Sequence, residues 1–385
     1  MDNIKKMIAE SFDEIADGIK SGSFKKKLRI GLTLYGSEHG TEEMVRAAEL
    51  AKRKYGDFDI VLIGPKLNCD FELVEAANAK EGHDKMVELL DKGEIDGCVT
   101  QHFDFPIGVS TVGRLITPAN GRDVIIATTT GTSSTDRVEG MVKNCISGIA
   151  VAKALGLENP TVGILNIDGA RKVERTLKKL EKSGYHVQFA ESLREDGGAV
   201  MRGNDILAGT PDVMITDSLT GNLLIKIFSA YTTGGNYETL GYGYGPGIGE
   251  DYNRLINIVS RSSGAPLICE ALKYCSICAE KEVLKIAKHE FEEAKKAGLD
   301  DILKSTLKAE KQASDDKENI EIPPKTVVTY AIPGIDILEL EDACSALWKE
   351  NIYCESGMGC TGPVILVEDS KANDAVRILE SKGYK

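Results

Sequence analysis

Apolar positions recur along this chain with two different periods. Ile4, Met7, Ile8, Phe12, Ile15 and Ile19 fall on one stripe of a helix. An amphipathic helix over residues 1–25 would bury that stripe against its own chain or a partner. After the basic run Lys25-Lys26-Lys27 the pattern changes to short unbroken apolar runs separated by helical stretches. The runs predict strands at 28–34, 59–64, 97–100, 123–127, 161–167, 186–190 and 213–216. The helical spacing predicts helices at 41–55, around 71–79, at 83–90, 136–155 and 170–183, and one long helix over 268–297. Strand and helix alternate at βαβ spacing, so residues 26–307 are expected to form a doubly wound, three-layer α/β/α body around a parallel sheet. Residues 308–325 read as a linker: from 308 to Pro323-Pro324 they are polar and carry three Lys against five Asp and Glu. Residues 326–385 alternate again and predict a small second α/β domain. Some sixty residues bury little core alone, so this domain is expected to lean on the body or on another subunit.

Composition narrows the function classes. The chain has 385 residues, 42% hydrophobic and 28% charged, with a net charge of −13. That balance leaves no basic excess to meet phosphates of nucleic acid, and no apolar run is long enough to span a bilayer. Residues 1–20 mix Asp, Glu and Lys among apolar positions, unlike a secretion signal. Nine cysteines in such a chain predict a reducing compartment, the cytoplasm, and mostly free thiols. Cys275-Ser276-Ile277-Cys278 lies inside a helical pattern without a second pair to complete a zinc site, so packing is the expected role. No metal and no cofactor is predicted.

Three stretches carry chemistry. In Gly357-Met358-Gly359-Cys360-Thr361-Gly362-Pro363 a cysteine sits among glycines between two strand-like runs. On such a turn Cys360 is either a nucleophile activated by nearby backbone N–H groups or a small buried hydrophobe. Thr128 to Thr135 form a hydroxyl-rich run that feeds a helix opening on Asp136, with Glu139 completing a capping box. Thr130, Thr132, Ser133 and Ser134 there are an anion site or plain caps. Asp217 follows a strand and opens a helix holding Asn222 and Lys226, which is where open α/β sheets bind ligands. Residues 234–249 hold seven glycines among sixteen, a lid or a flexible connector.

The segment Asp217-Ser218-Leu219-Thr220-Gly221-Asn222-Leu223-Leu224-Ile225-Lys226 resembles the Asp-Gly-Phe-x-Gly-Asn-x-x-x-Lys segment of the phosphate acyltransferases of bacterial lipid synthesis. Gly264-Ala265-Pro266-Leu267, Leu165-Asn166-Ile167 and Gly36-Ser37-Glu38-His39 are similar to further motifs of that family. The likeness covers roughly residues 28–300 and implies a body like that of the phosphotransacetylases, handling acyl groups and phosphate. Ser218-Leu219 stands where that family has Gly-Phe, and the cysteine domain is additional. Nearly the whole chain, the cysteine turn above all, resembles the alpha subunits of component C of clostridial glycine/sarcosine/betaine reductase complexes. That resemblance implies a hetero-oligomer with a thiolase-like beta subunit. It also implies that a selenoprotein, component A, delivers a carboxymethyl group, which becomes an acetyl thioester and leaves as acetyl phosphate. On this reading Cys360 carries the acyl group, Asn222 and Lys226 meet phosphate, unless Lys226 is a plain helix-face lysine, and Asp217 orients Lys226 or accepts a proton, with capping of the following helix as the equal alternative. Asn166 donates a hydrogen bond at the crevice or, as the commoner role, only forms its turn, and His39 acts as acid or base or, more commonly, is a solvent-exposed turn histidine. A plain acyl-carrier phosphate acyltransferase and a non-catalytic scaffold are the competing expectations.

Overall fold

The computed structural model describes residues 27–306 and 322–385, apart from 119, 196, 360 and 361, together with residues 12, 15, 16 and 19. The first half of the body runs β1 (Leu28–Thr33), α1 (Thr41–Lys54), β2 (Phe58–Gly64), β3 (Glu72–Glu75), α2 (Ala79–Asp91), β4 (Gly97–Thr100), β5 (Val109–Ile116), β6 (Asp123–Thr132) and α3 (Arg137–Ala154). The second half runs β7 (Thr161–Leu165), α4 (Ala170–Lys182), β8 (Gln188–Phe189), β9 (Val200–Met201), α5 (Gly203–Ala208), β10 (Val213–Ile215), α6 (Ser218–Ala230), β11 (Gly245–Gly249), β12 (Ile256–Ile258), α7 (Ala265–Glu280) and α8 (Val283–Lys296). The strands form one twelve-stranded sheet in the order β3-β2-β1-β4-β12-β11-β5-β6-β10-β7-β8, with β9 also on β7.

The expected three-layer α/β/α body is present. One core layer packs α1, α3, α4, α7 and α8 against the sheet. The other holds α2, α5 and α6 among the described residues. The sheet is parallel in its two wings, whereas β5 runs antiparallel to both β6 and β11 at its centre. The strand at 97–100 has the bounds the pattern predicts. Residues 72–75 form β3 in place of a helix, paired in parallel with β2. The long helix over 268–297 is two helices, parted at Glu282, whose φ is 52°. Part of the glycine-rich stretch 234–249 is core: Glu238 is fully buried, Tyr244 is buried and β11 is buried throughout. Its glycines permit close approach, since a Cβ on Gly245 would stand 1.8 Å from the Val112 carbonyl oxygen. Cys275 and Cys278 are fully buried on α7, where burial pushes both thiols up, as packing residues.

The C-terminal unit consists of β13 (Tyr330–Pro333), α9 (Leu340–Lys349), β14 (Cys354–Gly359), β15 (Gly362–Val367) and α10 (Ala372–Ser381). Its antiparallel sheet has the order β13-β15-β14 and its own small core around Ile332, Leu347, Ile365 and Leu379. It leans on the body through Glu339, which accepts two 2.6 Å bonds from Arg175 on α4 and lies 3.7 Å from Lys172. Burial raises the Glu339 carboxyl above its usual range even against those cations. Of the N-terminal stripe, Phe12, Ile15 and Ile19 are helical and exposed; Ile4, Met7 and Ile8 lie outside the described residues.

Candidate functional site

The parallel strands β6, β10 and β7 end side by side, and their carboxyl ends feed α3, α6 and α4. A cavity of about 190 Å³ opens between the first two, lined by Thr132, Ser133, Ser134, Asp136, Arg137, Asn144, Asp217 and Ser218 among others. This is the crevice where open α/β sheets hold ligands.

The hydroxyl run divides in two. Thr128 and Thr129 continue β6 and are buried. Their hydroxyls serve the sheet, Thr128 donating to the Thr111 carbonyl at 2.6 Å and Thr129 to the Tyr244 carbonyl at 2.7 Å. Thr130 is half-buried on the same strand and does not line the cavity. Thr132, Ser133 and Ser134 do line it. Ser133 is buried and its hydroxyl donates to Asn144 Oδ1 at 2.6 Å. Asn144 in turn donates to the Thr216 carbonyl at 3.1 Å, tying β6, α3 and β10 together. Asp136 caps α3, accepting from the Glu139 N–H at 2.8 Å.

Asp217 caps α6 in the same manner, with the Thr220 N–H at 2.8 Å. Its other oxygen takes Arg137 Nη2 at 2.5 Å, and Arg137 Nη1 lies 3.8 Å from Asp168. Arg137 is the cation of this site, and sequence reasoning missed it. The signal was there: a basic residue in the first turn of a helix opposes the helix dipole and needs an acidic partner or an anion. Asn144, polar within the buried apolar run of α3, was a second such signal.

Lys226 is elsewhere. It stands nine residues beyond Asp217, about 13 Å along α6, and pairs with buried Glu238 at 2.9 Å. Ser262 and Ser263 hydroxyls also donate to that carboxylate, at 3.3 and 2.9 Å. His39 belongs to this second cluster, its Nε2 3.2 Å from the Ser262 carbonyl and its ring edge-on to Tyr237 at 4.9 Å. Tyr237 donates to Glu43 at 2.5 Å, as does the first N–H of α7, from Ala265, at 2.7 Å. Burial would raise the Glu43 carboxyl, but those two donors and Arg46 hold it below its usual range. Asn222 is half-buried one turn into α6, between the clusters, and Asn166 is exposed at the end of β7. The structure therefore brings Thr132, Ser133, Ser134 and Asp217 together and sets Lys226 and His39 apart from them.

Cys360 lies outside the described residues. Its flanks are strands to within one residue, since Gly359 pairs with Gly362 across β14 and β15. Gly357, Gly359 and Gly362, read from the sequence as part of a turn, are ladder positions of β14 and β15. Among the described residues no cluster of His, Cys, Asp and Glu is placed to hold a metal, and no helix is long and apolar enough to cross a membrane.

A family described as fatty acid synthesis protein matches residues 28–366. The chain is 57% identical over 383 residues to the glycine/sarcosine/betaine reductase complex component C subunit alpha of Peptoclostridium acidaminophilum, covering 100% of this chain and 99% of that one. It is 26% identical over 247 residues to a phosphate acyltransferase of Xanthobacter autotrophicus, covering 52% of this chain and 67% of that one. For the phosphate acyltransferase of Thermotoga maritima the figures are 27% over 235 residues, 52% and 68%. A solved 4-hydroxythreonine-4-phosphate dehydrogenase of Klebsiella pneumoniae overlaps 69% of this chain and 98% of its own, at 10% identity and a TM-score of 0.37, too slight a likeness to bear on function. The chain belongs to the fatty acid synthesis protein family, and its likeness to the component C alpha subunit runs from end to end of both chains.

Proposed function

We propose that this chain is the acyl-handling alpha subunit of a component C type reductase assembly. It receives the carboxymethyl group delivered on the selenium of a selenoprotein. The carbon–selenium bond breaks as that selenium and a thiol of the same carrier are oxidised together to a selenosulfide, and the methylene carbon takes up a proton. The carboxyl carbon loses its oxygen as water and bonds to the Cys360 sulfur as an acetyl thioester, and the acetyl group then passes to phosphate. A thiolase-like beta subunit completes the assembly. The observation that carries this reading is the span of the likeness. The component C alpha subunit matches the whole chain, cysteine hairpin included, whereas the phosphate acyltransferases match about half of it.

The cavity between β6 and β10 supports the second half-reaction. Hydroxyls of Thr132 and Ser134 and the first turn of α3 offer donors to an anion. Arg137 turns from Asp217 to the phosphate and supplies the positive charge. The lining also holds Asp136 and Asp217, so a protonated phosphate enters at least cost, and Asp217 takes its proton as the oxygen attacks. The phosphate oxygen bonds to the thioester carbonyl carbon, the carbon–sulfur bond breaks, and the sulfur leaves as thiolate. Acetyl phosphate is the product.

Arsenolysis tests this directly. The chain and its beta partner, given acetyl phosphate and arsenate, consume acetyl phosphate, and Cys360→Ser abolishes that loss. Consumption untouched by Cys360→Ser would move the thiol chemistry to the partner and leave this chain a phosphate binder or a scaffold.

A further inference from the structure

We propose that Ser133 determines which oxyanion the cavity between β6 and β10 accepts, by taking a hydrogen bond from it, so that an anion carrying its own hydroxyl is selected over one without. This rests on the reading of that cavity as the phosphate site and adds the form of phosphate that it takes.

Three oxygens of buried residues form a closed triangle at the cavity. Ser133 Oγ lies 2.6 Å from Asn144 Oδ1, Ser110 Oγ of β5 lies 3.1 Å from the same atom, and the two hydroxyls are 2.7 Å apart. The Asn144 amide cannot turn over. Its nitrogen donates to the Thr216 carbonyl at 3.1 Å, and a flipped amide would set oxygen against oxygen there. Asn144 Oδ1 has no hydrogen to give, so the 2.6 Å contact needs the Ser133 proton. Ser110 then donates to Ser133 at 2.7 Å, and only the longest side of the triangle is left without a hydrogen. Ser133, which lines the cavity, therefore presents a lone pair to it and no donor. Turning its proton to a ligand would leave two oxygens 2.6 Å apart with nothing between them. Ser134 has the opposite sense. Its Oγ accepts the Asp136 N–H at 3.2 Å, which leaves its proton for a ligand.

Dihydrogen phosphate matches this wall, because it brings two hydrogens. One passes to Asp217 from the oxygen that attacks. The other stays on the oxygen that donates to Ser133. The resulting dianion and the thioester become thiolate and monoanionic acetyl phosphate, which leaves with the second hydrogen still in place. An oxyanion without hydrogens sets one of its oxygens against the Ser133 lone pair. A site built to meet a hydroxyl rejects the analogue lacking it, because its own polar group is left unpaired.

Calorimetric titration of the full chain with inorganic phosphate, methyl phosphate and methyl sulfate tests this. A phosphomonoester loses its second proton at about pH 6, so at about pH 5 the two methyl esters share shape and single negative charge and differ by one hydrogen. Methyl phosphate should bind roughly 10- to 100-fold more tightly, the effect of stranding a buried acceptor. Ser133→Ala should bring the two affinities together. In that variant Ser110 is free to donate to Asn144, so no buried polar group is orphaned. Ser110→Ala should keep the preference, since Ser133 still donates to Asn144. Equal binding of the two esters by the parent chain, or a preference that survives Ser133→Ala, would overturn the assignment while phosphate itself still binds. Failure to bind inorganic phosphate, or to bind either ester, would overturn the phosphate-transfer reading and the inference with it, since acetyl phosphate is substituted at the same oxygen.

Discussion

Gly221 decides whether α6 can sit where the candidate cavity needs it. A Cβ built on Gly221 would lie 1.7 Å from the Thr128 carbonyl oxygen and 2.7 Å from Thr216 Oγ1. No rotamer relieves that clash. The first atom is backbone of β6, and the Thr216 hydroxyl is already fixed to that same oxygen at 2.8 Å. Gly221→Ala must therefore lift the helix. Alanine gains about 1 kcal/mol in helix propensity over glycine. Overpacking of a tight contact costs about 1–3 kcal/mol, and a backbone contact this short belongs at or above the top of that range. Lifting α6 also loosens the burial of Ile225 and Phe228. The net expectation is a loss of about 2 kcal/mol or more, read as a lower urea midpoint at unchanged slope. Asp217 rides on the first turn of α6, so its 2.5 Å contact with Arg137 should be disturbed and phosphate binding by calorimetry should weaken in the same variant. A Gly221→Ala chain as stable as the parent, with unaltered phosphate affinity, would refute the seating of α6 on β6 as the element that builds the cavity.

Two further substitutions separate the site from the scaffold. Arg137→Ala removes the cavity's cation, and a charge-assisted bond of about 1.5–3 kcal/mol predicts phosphate binding weaker by roughly 10- to 150-fold. The thermal midpoint should barely move, because the Arg137 side chain is nearly half exposed. Arg175→Ala strands the buried Glu339 with Lys172 alone. Breaking a fully buried pair costs about 3–5 kcal/mol, and the partial exposure of Arg175 lowers the expectation to about 2–3 kcal/mol. Limited proteolysis should then cut between the body and the C-terminal unit sooner than in the parent. An unchanged cleavage rate would show that Glu339 does not hold the unit in place.

Much of the body was legible because its wings are regular. Runs such as Gly97–Thr100 and Asp59-Ile60-Val61-Leu62-Ile63 are buried parallel strands, and parallel strands read as continuous apolar runs. The centre of the sheet was not legible. Gly-Pro-Gly-Ile-Gly of β11 has no apolar period. Those positions are small because the Val112 backbone and the Phe105 ring press against them, a constraint from distant sequence. Glu72–Glu75 is too short for its period to distinguish strand from helix. The Thr128–Thr129 pair looked like loop because hydroxyls favour turns, yet threonine also suits strands, and here β5 and the segment at Tyr244 accept its hydrogen bonds. At the site, Asp217 and the Ser133-Ser134 turn were legible from their place after strands. Helical spacing could not show that Lys226 turns away to Glu238, since Glu238 arrives from the glycine-rich stretch that had no readable structure. Arg137 was overlooked beside its capping residue, although its position against the helix dipole marked it.

The central claim is that Cys360 carries the acetyl group, and peptide mass spectrometry tests it most directly. The chain, alone and with its beta partner, is incubated with labelled acetyl phosphate at mildly acidic pH, digested, and compared with Cys360→Ser. The account predicts an acetyl thioester on the Cys360 peptide that phosphate or arsenate discharges, and none on the variant. Label confined to a thiol of the partner, with full turnover by the Cys360→Ser chain, would contradict it.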